Sequence, residues 1–342
     1  MTIAWHSSRW VFAATEGGRF DPGTGPGRYE RARNWLEGSG ATRAMAAFTF
    51  DPDEQGSVVV TAGEPMIPGA EQAATLSGSV DGRAAWEEGF ARATAALADG
   101  TLEKVVLARH LVCDFLEPVD AFAVWSRLTT ENPETYQFLI DGLVGASPEL
   151  LVGVDRRRVE SLALAGTAAS SQDLEGSKLE HEHQLAADSV KSALRRHVED
   201  IRSTRSNHRF GELVHAATRF EGLLRPGSGI LDLLAELHPT AAVAGTPRDA
   251  AIAMIRDIEP PRGLYAGPVG WFDTEGNGEF AIALRCGRVA GHRVVLYAGG
   301  GLVAGSDLLS EWAETELKLA PMQSALGIDH RRGDRVEPAP GS

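Results

Sequence analysis

The stretch that most restricts the fold lies late in the chain. Residues 263–303, GLYAGPVGWFDTEGNGEFAIALRCGRVAGHRVVLYAGGGLV, read as consecutive antiparallel strands. Turn residues break the run at Thr274–Gly278 and Ala290–Gly291, too tightly for any helix to intervene. More strand-like runs precede it: AMAAFTFDP (44–52), SVVVTAG (57–63), KVVLARHLVCDF (104–115), TYQFLIDGLVGASPELLVGV (135–154) and RVESLALAGT (158–167). Helical spacing appears over 83–100 through Trp86, Phe90, Ala93 and Leu97, and over 177–201 through Leu179, Ala186, Val190, Leu194, Val198 and Ile201. A short helix fits 248–258 and a closing helix fits 306–327, whereas 64–82 reads as an exposed connection and 238–247 as a loop. Helices scattered among strands without βαβ alternation predict an α+β fold of large antiparallel sheets.

Composition narrows the function. Of 342 residues, 43% are hydrophobic and 23% charged, as a soluble domain with a substantial core requires. The net charge of −14 argues against nucleic acid or an anionic membrane held by bulk charge. Cys113 and Cys286 stand far apart with no CxxC pairing, which fits a reduced, cytoplasmic protein. The opening MTIAWHSSRW has no signal-peptide core, and no run is long enough to span a membrane.

SKLEHEH (177–183) suggests a metal cluster, yet His181 and His183 lie about 200° apart on a helix and cannot share an ion. The expectation is a surface histidine and a packed one. Glu182 points towards the apolar side of its helix, and a buried carboxylate needs a cation or donors. If it meets Glu314 of the closing helix, the two oxygens suit Mg²⁺. Glu311, Glu314 and Lys318 follow at three- and four-residue steps, a pattern that an ordinary solvated face also explains. Lys104 opens a strand; burial would make it a usable base. Glu149, in SPELL, would stay protonated as an acid if buried. Gly166–Thr167 and Gly299–Gly300–Gly301 are points where backbone can approach a ligand.

Taken in order, KVVLAR, GASPELLV, LAGT, SKxxxEH, RGLYAGPVGW, GEFAIALR, YAGGGLV and SEWAETELK resemble the chorismate-utilising enzymes, over roughly residues 84–325. That family includes isochorismate synthase, salicylate synthase, anthranilate synthase component I and aminodeoxychorismate synthase. The resemblance implies a single large chorismate-binding fold of antiparallel sheets flanked by helices, with 1–82 as its N-terminal part, 83–327 as the catalytic core and 328–342 as a disordered tail. It implies chorismate as substrate and Mg²⁺ as cofactor. By motif position, Glu182 and Glu314 match metal ligands, and Glu311 an outer carboxylate that holds metal-bound water. Tyr265 and Arg285 match residues at the enolpyruvyl carboxylate, and Lys318 a lysine beside the ring carboxylate. Gly166, Thr167 and Gly299–Gly301 match backbone lining the substrate, Lys104 the general base and Glu149 the general acid.

Members that add ammonia typically carry glutamine where Lys104 stands, so the resemblance is to a water-adding enzyme, a monomer with no obligatory glutaminase subunit. Isochorismate synthase is the first expectation, favoured by HPTAAVAGTP (238–247). Salicylate synthase, which expels pyruvate in the same site, is the second. A non-catalytic chorismate-binding relative finds support only in Leu179, which stands where the family usually carries an acidic residue. That departure implies weaker Mg²⁺ affinity. Leu179→Glu is expected to tighten Mg²⁺ binding in a direct titration; unchanged or weaker binding contradicts the expectation.

Overall fold

The computed structural model describes residues 1–66, 74–168, 177–210 and 213–328. Its elements run β1 (Thr2–His6), β2 (Val11–Phe20), α1 (Arg28–Ser39), β3 (Arg43–Ala47), β4 (Val58–Pro65), β5 (Leu76–Asp81), α2 (Arg83–Ala98), β6 (Lys104–Phe115), α3 (Ala121–Glu131), β7 (Tyr136–Ile140), β8 (Leu143–Ser147) and β9 (Leu150–Asp155). They continue with β10 (Arg158–Ala168), α4 (Ser177–Leu194), β11 (Val198–Phe210), β12 (Leu213–Leu224), α5 (Ile230–Leu237), β13 (Gly245–Thr246), α6 (Arg248–Ile258), β14 (Pro268–Asp273), β15 (Gly278–Ile282), β16 (Cys286–Ala290), β17 (Arg293–Val303) and α7 (Leu308–Ala325).

Every strand pairing among the described residues is antiparallel. One continuous ladder runs β11–β12–β10–β9–β15–β14–β3–β4–β2–β1–β7–β8–β16–β17–β6–β5. The short β13 pairs with the start of β6. Local chemistry sets several joints. The β7–β8 hairpin turns on Asp141–Gly142, both at positive φ, the pair such a two-residue turn favours. Asp120 and Asp307 cap α3 and α7 by accepting the amides of Phe122 and Ser310 at 2.8 and 2.9 Å.

The main core includes Trp5, Phe48, Val152, Leu233 and Phe280. A second cluster lies under α3 and α7, built on Val124, Leu128, Leu296, Leu319 and Met322. Helix α4 packs on β10, α2 on β6 and α7 on β17. The chain crosses from one half of the ladder to the other at Pro148–Glu149, between β8 and β9, and at Ala283–Arg285, between β15 and β16. These crossings bring polar residues into the interior.

The antiparallel run expected at 263–303 is present as β14 to β17, and the helix expected at 248–258 is α6. Two element assignments need correction. The segment 64–82 is not simply a connection: β4 reaches Pro65, and Leu76–Asp81 forms β5, an edge strand on β6. Its mostly polar sequence hides it, because an edge strand buries little. The helix expected to reach Ile201 ends at Leu194, and Val198 and Ile201 belong to β11. Their apolar side chains continued the helical count by coincidence of spacing. The tail expected to be disordered lies, apart from Ile328, outside the described residues. No helix among the described residues is long and apolar enough to cross a membrane.

Candidate active site

A cavity opens where the two halves of the ladder meet. Nine of the residues singled out from sequence line it: Lys104, Glu149, Glu182, Tyr265, Arg285, Gly299, Gly301, Glu314 and Lys318. They come from β6, the two crossings, α4, the segment before β14, β17 and α7.

Lys104 is almost wholly buried, at 1% exposure, and its Nζ lies 3.0 Å from Glu182 Oε1. β17 accommodates this pair because residue 301 is glycine. A methyl group there would overlap the Glu182 carboxylate and press on Lys104 Cε. A second pair stands on α7, where Lys318 Nζ lies 2.5 Å from Glu314 Oε1 and donates to Gly299 O at 2.8 Å. The cavity wall therefore carries two lysines, each already beside a carboxylate.

Glu149 is buried at 3% exposure. Its backbone amide donates to Ser147 Oγ at 3.2 Å, and its Oε1 accepts the Leu164 amide at 3.3 Å. Burial is the main influence and pushes the carboxyl up to about 7; the Leu164 amide and the positive charges of Lys104, Arg285 and Lys318 partly oppose it. The side chain is thus a proton donor near neutral pH. Arg285 is half-buried and holds a left-handed backbone at φ +47, an unfavourable conformation that places the side chain at the crossing. Burial lowers its basicity, with Tyr265, Glu314 and Glu149 opposing. Tyr265 is buried, its phenol pushed up by burial, and its ring stacks on Tyr297 at 5.0 Å.

Glu311 and Gly300 do not line the cavity. Alternation along β17 turns position 300 to the opposite face, towards Trp86 and the Glu311 carboxylate. Glu311 is buried there at 5% exposure. Gly166 falls in β10 at a bulge between Ala165 and Thr167, and Thr167 stands opposite His215. The side chains of Thr167 and Leu179 lie outside the described residues. In SKLEHEH, His181 is exposed, whereas His183 is buried and its Nε2 lies 2.8 Å from Thr218 Oγ1. The histidines are a surface residue and a packed one, as helical geometry requires.

Sequence reading missed His215, Arg262 and Tyr297 in the cavity wall. Burial, with Arg285 and Lys318 nearby, pushes His215 well below the usual imidazole range, so it is neutral. It sits in LVHAATRF, where one inward polar residue in an alternating strand was the available signal.

The chain is similar to known proteins over most of its length. The profile of the family described as chorismate binding enzyme matches residues 44–327. The isochorismate synthase EntC of Escherichia coli K12 is 37% identical over 262 residues, covering 71% of this chain and 67% of that protein. MenF of Bacillus subtilis is 35% identical over 72% of this chain, which is 56% of its own length. The menaquinone-specific isochorismate synthase MenF from Escherichia coli superposes with a TM-score of 0.81 at 25% identity, covering 95% and 88% of the two chains. Anthranilate synthase component I from Streptococcus pneumoniae shares the fold, with a TM-score of 0.69 at 18% identity.

Two outcomes test the geometry. Gly301→Ala is expected to displace the Glu182 carboxylate, break its pair with Lys104 and lower Tm; a crystal structure of the variant with the pair intact contradicts this. A carboxyl raised by folding binds its proton more tightly in the folded state, so the protein loses stability as pH rises from about 4.5 to about 7. Relative to Glu149→Gln, the wild type should lose on the order of 3 kcal/mol across that window in denaturant titrations. Parallel stability curves refute the raised pKa. By profile match, sequence identity and fold, the chain belongs to the chorismate binding enzyme family.

Proposed function

We propose that the chain is an isochorismate synthase, adding water at C2 of chorismate with loss of the C4 hydroxyl. One observation carries the reading: a buried lysine and a buried carboxyl pushed up to about 7 line the same cavity, beside further cations. Water needs a base to become a nucleophile, and hydroxide needs an acid to leave. A pure binding pocket needs neither.

Lys104 acts as the neutral amine, after losing the proton that its pair with Glu182 favours, and takes a proton from water as the water oxygen bonds to C2. The ring double bonds shift, the C4–O bond breaks, and Glu149 gives its proton to the departing hydroxyl, which leaves as water. Substrate and product are therefore isomers. Chorismate carries two carboxylates, and an acidic protein must provide a local cationic pocket for them. Arg285 and Tyr265 face the enolpyruvyl carboxylate, and Lys318, tied to Gly299 O, stands by the ring carboxylate. The backbone of Gly299 and Gly301 allows the ring close approach.

The donor set suits Mg²⁺. Glu182 and Glu314 present hard oxygens to the cavity, and glycine at 301 leaves room for the Glu182 carboxylate. Mg²⁺ typically takes one or two carboxylates, with water and an anionic substrate completing its shell. When bound, the ion would supply positive charge against the ring carboxylate.

Incubation with chorismate and Mg²⁺, followed by product analysis, tests the reading. Isochorismate alone is expected, and Lys104→Ala should lose turnover while keeping its fold. Salicylate and pyruvate released without a partner lyase, or full activity in Lys104→Ala, overturn it. The kcat/KM of the wild type should fall as pH rises through about 7, because Glu149 must be protonated to act.

A further inference from the structure

Strand β6 lacks a strand partner along part of its outer edge. β13 covers Lys104 and Val105, and β5 covers Leu111 to Phe115. In the gap, Val106 N donates to Ala244 O at 2.9 Å. Two of the remaining edge groups are met by side chains. Val106 O accepts from Arg262 Nη2 at 2.7 Å, and Ala108 N donates to Glu259 Oε1 at 2.6 Å.

These two side chains also bind each other. Arg262 Nε donates to Glu259 Oε2 at 2.7 Å and Nη2 to Oε1 at 3.0 Å. Nη1 reaches Val243 O at 2.9 Å, and the guanidinium packs over Phe50 at 4.4 Å. Both side chains are buried, at 3% and 7% exposure. With these donors engaged, Arg262 has little left to offer a substrate carboxylate, although it lines the cavity. Its position matters for another reason: across the ladder, Val106 stands opposite Gly301 and Ala108 opposite Gly299.

We infer that Arg262 and Glu259 are a positioning pair that stands in for the missing strand and thereby fixes Lys104, Gly299 and Gly301 relative to the substrate. An unpaired strand edge inside a protein leaves backbone groups unsatisfied and lets the strand shift. The fork of an arginine, braced by a carboxylate, can meet one carbonyl on β6 and another in the 242–244 segment at once. A lysine cannot, because it brings one nitrogen and no fixed fork. The kinetic consequence rests on the function proposed above; the structural consequence does not.

The test uses Arg262→Lys, which keeps the charge, and Glu259→Gln, which keeps an acceptor for the Ala108 amide. All measurements are made well below each variant's Tm. In Arg262→Lys, kcat should fall about tenfold to a hundredfold, as expected for small misplacements of reacting groups, while KM stays near wild type. Glu259→Gln should fall in the same direction. Hydrogen exchange should quicken in peptides covering 104–108 and 299–301 and stay unchanged in the distant 150–160 hairpin. Wild-type exchange at 104–108 overturns the inference. So does exchange that quickens equally throughout the chain, with kcat falling only as the folded fraction falls, since that marks an ordinary stabilising pair. If the wild type forms no isochorismate, the proposed function fails, and local exchange alone decides the pair.

Discussion

A lysine at 1% exposure needs a counter-charge, and the Lys104–Glu182 pair at 3.0 Å supplies it. Removing an ammonium from water costs several kcal/mol, recovered only when the partner is close and well oriented. The partner here comes from α4, so the pair ties β6 to a helix that otherwise packs on β10 and closes the two ends of the ladder around one cavity. The contact also limits the opposite wall: β17 must carry glycine at 301, because any side chain would occupy the space of the carboxylate. Proposed base, proposed metal ligand and glycine strand are thus one steric and electrostatic unit.

Glu149 depends on the same closure. It lies on a crossing between halves of the ladder, and burial there outweighs the lysines and arginine that would otherwise keep it ionised. The two proposed proton-transfer groups thus stand in different environments: Lys104 lies beside the Glu182 carboxylate, and Glu149 is desolvated at the crossing. The cations beside Glu149 serve a second purpose in a protein of net charge −14, giving a dianionic substrate a favourable destination within a repulsive field.

Much of this was legible in the sequence. The alternation and tight turns of 263–303 specify antiparallel strands, because a two-residue period and short connections leave little else. The eight ordered motifs locate the residues of the site, nine of which share the cavity. Other features were hidden for physical reasons. β5 is an edge strand with little to bury, so it carries no strong apolar pattern. The end of α4 blurred because Val198 and Ile201 are apolar on a strand at spacings that also suit a helix. Glu311 and Gly300 belong to motifs but face away from the cavity, and only the pleat of β17 reveals it. The pairing of Arg262 with Glu259 left no mark in the sequence, because the gap the two fill on β6 exists only in three dimensions.

Running the reaction in ¹⁸O-labelled water tests the central claim most directly, since the account requires solvent oxygen to become the new C2 hydroxyl. Isochorismate carrying ¹⁸O at C2, at the enrichment of the solvent, is the predicted result. A product that keeps the unlabelled oxygen of chorismate would show transfer of the original hydroxyl and contradict the roles given to Lys104 and Glu149.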